Sequence, residues 1–383
     1  MKSLLNPFLP STWEPFSYGK SKNLFQKSGC VMLLILLSLC IAQENPIQPY
    51  PPESKDQPDF LTIQYKETES DPNLTSLDIY TPDSPGLHPV MIYVHGGGWQ
   101  RGDKKNVGHK SDFFTEEGFM FVSVNYRLSP EVMYPLHVQD VADAAAWVAQ
   151  NAGQYRGDPD RIFIMGHSAG AHLVSLLGAD EKYMENSGYS LEILKGVISL
   201  DTGLLDIPLQ VETQKSSLRL VKSAISNNAE TWKEASPVHH VEAGKGIPPY
   251  LLVYVSSRER SAGVQAKNMK QKFEEEGVTC EVYRAENKTH QTLNQEIGTT
   301  GDEPTAKIME FIESILNEGE TDLHTDYNIH FDYDPSVEMK FCIDTIGDLK
   351  GFDMQVGLRN FFASSCSEQL DCCDFQELYF CKG

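Results

Sequence analysis

Residues Ile162–Leu173 read IFIMGHSAGAHL, an apolar run that breaks at Gly166 into small residues and resumes at Ala169. The first half has the length and composition of a buried strand, and the second half opens a helix. Between them Gly166-His167-Ser168-Ala169-Gly170 fits G-x-S-x-G. A serine on such a strand-to-helix turn sits on a sharp backbone bend with its hydroxyl exposed, and glycines on either side permit that bend. The same five residues also describe an ordinary tight turn, so other parts of the chain have to supply an oxyanion site, a base and an acid.

Outward from this turn, apolar strands and amphipathic helices alternate. Strands are expected at Ser76–Tyr80, Val90–His95, Phe119–Asn125, Arg161–Gly166, Gly196–Leu200, Tyr250–Val255 and Thr279–Arg284. Helices are expected at Lys110–Glu117, Val138–Asn151, Ala169–Gly178, Ala266–Glu276 and Glu303–Leu316. Strands that alternate with helices and read as continuous apolar runs imply an α/β fold with a mostly parallel central sheet covered by helices on both faces.

His95-Gly96-Gly97-Gly98-Trp99 follows the strand Val90–Val94. Three consecutive glycines weaken any regular element, so this position calls for bare backbone. Amide N–H groups of Gly97 and Gly98 turned toward a developing oxyanion answer that need, with the amide of Ala169 aimed at the same point. His95 is read as structural, because its partners in the motif act through their backbone.

These two motifs, with Asn125-Tyr126-Arg127-Leu128-Ser129-Pro130 and a serine that precedes its histidine, resemble the α/β-hydrolase fold and its HGGG-type serine esterases. GHSAGAHL followed by His290-Gln291-Thr292-Leu293-Asn294 is similar to the branch that holds acetyl-xylan and feruloyl esterases and kynurenine formamidases. The resemblance covers about Asp59 to Leu316, within an expected catalytic domain of residues 59–318. It implies acyl transfer through a serine nucleophile and leaves the acyl group open. It also implies His290 as the base, the single histidine between His240 and His324, in a polar loop before the last helix. His239 and His240 are read as structural, and His109, His137, His167 and His172 lack the chain position of a base.

The acid is where the chain departs from the family. Members carry an aspartate after the strand equivalent to Tyr250–Val255, but Ser256-Ser257-Arg258-Glu259-Arg260-Ser261 stands there, and no aspartate lies between Asp206 and Asp302. Glu259 is the first choice, since a glutamate can also orient an imidazole. Asp201 and Asp206, after the preceding strand, remain open, with Glu286 a more remote choice. An exposed partner of Arg258 or Arg260 is the plainer reading of Glu259.

Composition bounds the rest. The chain has 383 residues and a net charge of −22, a field that repels phosphate backbones and argues against nucleic acid as a partner. The glycines of HGGGW lack a P-loop ending, and no His/Cys/Asp group has zinc spacing, so no cofactor or metal is implied. Val31–Ala42 is a twelve-residue apolar run after Lys20, Lys22 and Lys27. That is the layout of a signal peptide, shorter than the roughly 20 residues of a membrane span. Residues 1–42 are therefore expected to be removed, with Met32 an alternative start, which leaves an exported chain with no stable membrane span. Residues 43–58 form a proline-rich linker.

Between Thr202 and Gly246 the chain is polar, with a helical stretch at Ser216–Ser226, and is expected to cap the pocket and set specificity together with the loop after Trp99. Residues 319–383 read as an acidic, cysteine-rich appendage with Cys342, Cys366, Cys372, Cys373 and Cys381. An even cysteine count in an exported chain suggests disulfides, although Cys280 in a core strand fits a buried thiol. The sequons at Asn73 and Asn287 matter only in a eukaryotic product. The functional expectation is an exported serine hydrolase, secreted or periplasmic, that cleaves carboxylic esters of small or carbohydrate-linked acyl groups through an acyl-enzyme. An arylformamidase, a peptidase-like hydrolase and a non-catalytic binding scaffold are the alternatives.

Overall fold

A computed structural model describes the backbone over residues 60–324, 327–332 and 340–345, and side chains over 60–317. The apolar leader, the proline-rich linker and the side chains of the tail cysteines lie outside the described residues.

Eight strands form one sheet: β1 (Leu61–Gln64), β2 (Ser76–Tyr80), β3 (His88–Val94), β4 (Met120–Val124), β5 (Gly157–His167), β6 (Leu194–Leu200), β7 (Tyr250–Val255) and β8 (Cys280–Ala285). Their order is β1-β2-β4-β3-β5-β6-β7-β8. β1 pairs antiparallel with β2 and β2 with β4, while every pairing from β4 through β8 is parallel. A separate antiparallel pair joins Tyr327–Asp332 to Lys340–Thr345.

The central strands read as unbroken apolar runs because both their faces are covered. Val90, Ile92 and Val94 of β3 enter one core, with Ile162 and Ile164 of β5, and Met91 and Tyr93 enter the other, with Phe163 and Met165. The first core packs beneath α2 (Leu136–Asn151) and α3 (Ala169–Ala179), and the second beneath α1 (Lys110–Glu116) and the helix Glu303–His324, through Phe114, Ile308, Phe311 and Ile312. The expected strands and helices are present, most with ends shifted by a few residues, while the last helix, expected to end at Leu316, runs on to His324. β3 starts earlier, at His88, and its register with β5 slips between His88 and Val90, where Pro89 has no N–H to give a ladder. β1 was not anticipated, being short and half-exposed at the sheet edge.

Ser168, Asp201, Arg258 and His290 all follow the C-terminal ends of parallel strands, β5, β6, β7 and β8. Parallel pairing brings those ends to one edge of the sheet, where open α/β folds place their sites. Above that edge, Ile207–Thr213, Ser217–Ala224 and Ala229–Glu234 make three short helices, the cap expected from the sequence. Among the described residues no helix is long and apolar enough to cross a membrane.

Candidate active site

Ser168 is the residue between β5 and α3, and its φ of 57° and ψ of −114° lie where a side chain is rarely found. Close approach of backbones explains the glycines around it. A Cβ at Gly166 would stand 2.4 Å from the Gly170 carbonyl oxygen, and one at Gly170 would stand 2.1 Å from the Val94 carbonyl oxygen. A Cβ at Gly96 would meet the His167 carbonyl oxygen at 2.8 Å. The GxSxG turn and the HGGG loop are thus packed against each other with no room for side chains between them.

His290 Nε2 lies 2.9 Å from Ser168 Oγ, and His290 Nδ1 lies 2.6 Å from Asp201 Oδ2. The consistent tautomer has Ser168 donating to Nε2 and Nδ1 donating to the carboxylate. His290 is not in a loop, as expected, but is the first residue of a short helix, His290–Glu296, whose start is fixed by reciprocal bonds between Thr289 and Thr292. Asp201 is fully buried and follows β6 in the left-handed region, at φ 54°. The Val255 amide donates to its Oδ1 at 3.3 Å, and Arg258 Nη1 donates to Oδ2 at 2.7 Å and to its carbonyl oxygen at 3.0 Å. Burial by itself would raise this carboxyl, but the bonds from His290 and Arg258 outweigh it and hold it below the usual carboxylate range.

The expectation that Glu259 accepts from His290 is corrected. Glu259 turns outward, accepting from Lys267 and, at 2.8 Å, from the Tyr254 hydroxyl, with Arg284 at 3.3 Å. The bond from Lys267 and then that from Tyr254 lower its carboxyl. Of the two neighbouring residues, Arg258 is the one that turns inward, so a cation occupies the position where the resemblance put the acid. Asp206 caps the helix Ile207–Thr213 by accepting from the Leu209 amide at 3.0 Å, and Glu286 pairs with Arg284 at 3.0 Å. Neither reaches His290.

Gly97 and Gly98 have φ of 128° and 63°, and a Cβ at Gly97 would collide with the Arg101 carbonyl oxygen at 1.8 Å. Both glycines line the space in front of Ser168, and Ala169, the next residue after Ser168, opens α3. His95 behaves as a structural residue: it is buried, stacks on Tyr126 at 4.6 Å, and bonds to the Gly96 carbonyl at 2.8 Å.

Residues that the sequence did not single out form a layer behind the site. The His167 ring packs on that of His290 with centroids 4.5 Å apart, and its Nε2 bonds to the His290 carbonyl at 2.8 Å. Burial, with the neighbouring His290, pushes the His167 imidazole down to about 3, so it stays neutral. Lys110 is 1% exposed, donates to the carbonyls of Asn294 and Val107, and lies 5.0 Å from the Tyr93 ring centroid. The Tyr93 hydroxyl donates to Asn294 Oδ1 at 2.7 Å. Tyr93 and Lys110 therefore hold the helix that carries His290 from behind. A strand residue and the first residue of a helix that meet one turn of a distant helix leave no periodic trace in the sequence.

Two lobes meet at Ser168 and His290. The larger, about 820 Å³, runs along the HGGG loop past Tyr93, Asn106 and Asn294. The smaller, about 310 Å³, lies on the Asp201 side and is lined by Thr202, Gln214, Ser217 and Arg258. Leu220 of the cap lines both.

The profile of the BD-FAE family matches residues 77–273, just over half of the chain. Among curated proteins, the chain is similar to the probable carboxylic ester hydrolase LipM of Mycobacterium tuberculosis, at 32% identity over 45% of this chain and 42% of that protein. It is also similar to the probable isoprenylcysteine alpha-carbonyl methylesterase ICMEL2 of Arabidopsis thaliana, at 28% identity over 57% of this chain and 54% of that protein. The chain thus spans about half the length of these relatives. Among solved structures, the butyrate-bound esterase Est2 of Thermogutta terrifontis aligns at 23% identity and a TM-score of 0.55, covering 68% of this chain and 94% of that one. An inhibited form of Esterase B of Lactobacillus rhamnosis aligns at 17% identity and a TM-score of 0.57, covering 78% of this chain and 100% of that one. The fold is that of the α/β-hydrolases, and the chain belongs to the BD-FAE family.

Proposed function

We propose that this chain is a serine carboxylic-ester hydrolase in which Ser168 is the nucleophile, His290 the general base and Asp201 the acid. The observation that carries the reading is the continuous line of hydrogen bonds from Ser168 Oγ through His290 to Asp201 Oδ2, at 2.9 Å and 2.6 Å. His290 takes the serine proton as Oγ attacks the ester carbonyl. The buried carboxylate keeps the imidazole in the right tautomer and stabilises its protonated form. The amides of Gly97, Gly98 and Ala169 are the donors for the oxyanion, a contribution worth about 3–4 kcal/mol per donor in the best-measured serine hydrolase. The alkoxy group leaves with the proton from His290, and water then releases the acyl group from Ser168 by the same route.

The substrates are esters of small acyl groups, carbohydrate-linked ones included. What supports this is a pair of modest lobes beneath a short cap, and the carboxylic ester hydrolase and esterase relatives. The chain acts outside the cytoplasm, a reading that rests on the apolar run at Val31–Ala42. Purified chain on a panel of p-nitrophenyl esters from acetate to decanoate is the test. Turnover that falls with acyl length and vanishes in Ser168→Ala is expected, and ester hydrolysis retained in Ser168→Ala would overturn the assignment.

A further inference from the structure

Arg258 engages the site through one edge only. Among the described residues its hydrogen bonds all run through Nη1, to Asp201 Oδ2 and the Asp201 carbonyl, with His290 Nδ1 at 3.0 Å. The other edge of the guanidinium runs along the wall of the smaller lobe, where Nη2 stands 3.1 Å from the place a Cβ would take at Gly203. The side chain keeps 29% of its surface exposed, while Asp201 behind it keeps none. An arginine fork has five donors in a fixed plane, and using one nitrogen on a carboxylate leaves the geometry for a second carboxylate intact.

The same wall holds a second polar group without a partner. Thr202 is 94% buried, its hydroxyl has no hydrogen-bond partner among the described residues, and it lines the lobe beside Arg258. A buried hydroxyl left unpaired is costly, and such groups recur where a ligand completes the bond. Gln214 and Ser217 of the cap close the far side. Those two already accept from Gln210 Nε2, but an apolar acyl chain would leave the second edge of Arg258 and the Thr202 hydroxyl without a partner.

We propose that the smaller lobe is an anion subsite that takes a free carboxylate carried by the ester substrate, as in a monoester of a dicarboxylic acid, and that Arg258 and Thr202 are its specificity determinants. The proposal rests on the hydrolase reading for its chemistry, and Ser168 lines the same lobe as Arg258 and Thr202, so a short spacer joins carboxylate to ester. The net charge of −22 repels anions from a distance. That field is screened beyond about 8 Å at physiological ionic strength, whereas direct contact with a guanidinium is not.

Binding without turnover tests the subsite. Ser168→Ala protein titrated calorimetrically with monomethyl succinate and with methyl butyrate, which differ chiefly in the terminal carboxylate, is expected to bind the monoanion about tenfold tighter or better, the effect of one charge-assisted contact. Adding Arg258→Gln should remove the difference, and adding Thr202→Val should reduce it. Equal affinities for the two ligands, or no binding of the monoanion, would overturn the subsite. Turnover of p-nitrophenyl butyrate and mono-p-nitrophenyl succinate by the unmodified chain is read separately. If neither ester is cleaved while the monoanion binds selectively, the hydrolase reading fails and the subsite stands.

Discussion

Asp201 Oδ2 lies 2.6 Å from His290 Nδ1 although the two residues stand 89 positions apart, whereas Glu259, placed between them in the chain, bonds outward to Tyr254. The carboxylate that meets the imidazole therefore follows β6, and the loop after β7 contributes a cation that braces it.

Asp201→Asn is expected to lower kcat by orders of magnitude. The loss is about 10⁴ in the serine protease used as the standard reference. Glu259→Gln should stay within a few-fold of the unmodified chain, because its ion-pair partners Lys267 and Arg284 are exposed and pairs of this kind are weak. Steady-state kinetics on p-nitrophenyl acetate compares the two, and the reverse ranking would refute the assignment of Asp201.

A fluorophosphonate probe should modify Ser168 and leave other serines untouched, since among the described residues none but Ser168 has an imidazole nitrogen at 2.9 Å in line with a buried carboxylate. Peptide mass mapping locates the label. A label on another serine, or persistent labelling of Ser168→Ala protein, would sink this prediction.

The two central glycines of the HGGG loop should differ in tolerance. An alanine Cβ at position 97 meets the Arg101 carbonyl oxygen at 1.8 Å, so Gly97→Ala is expected to disrupt the loop and abolish activity. At position 98 the obstacle is Leu220 Cδ1 at 3.1 Å, which can move, and the φ of 63° costs an alanine about 1–2 kcal/mol. Gly98→Ala should fold with a lowered Tm and partial activity, and Leu220→Ala in the same chain should recover some of that activity. Melting curves and kcat for the three variants decide it; equal damage at both glycines would contradict the packing argument.

Lys110 should give the folded chain a distinctive response to alkali. Burial pushes its ammonium down to about 7, partly opposed by Asp302, while an unfolded lysine titrates near 10.4. Between those values the unfolded chain binds more protons than the folded one, so stability attributable to Lys110 rises with pH across that window. Below about pH 7 both states are protonated and the folded state carries the full penalty of a buried charge. Lys110→Met removes the titration. The Tm of the unmodified chain, measured relative to that variant, should therefore climb from pH 7 to pH 10. Parallel curves would show that Lys110 keeps an ordinary affinity for protons.

The alternation of apolar runs with amphipathic helices settled the sheet and its two covers, because residues buried on both faces of a strand leave a pattern that needs no knowledge of neighbours. The GxSxG turn and the glycine loop were equally legible, since each is a local demand for bare backbone at a chain reversal. His290 was identified by order, although the short helix it opens was read as a loop, its Thr289–Thr292 cap lacking the usual acidic partner. The acid was different in kind. Asp201 and Glu259 both follow the ends of parallel strands, and chain order favoured the one that does not reach His290. Which carboxylate meets the imidazole is decided by where the ends of β6 and β7 bring their side chains in space, and by the inward turn of Arg258 that fixes Asp201 and leaves Glu259 to Lys267 and Tyr254. The same holds for Lys110, Tyr93 and Asn294 and for the half-engaged edge of Arg258. Each depends on contacts between segments remote in the chain, which parallel strands bring to one edge and no local pattern encodes.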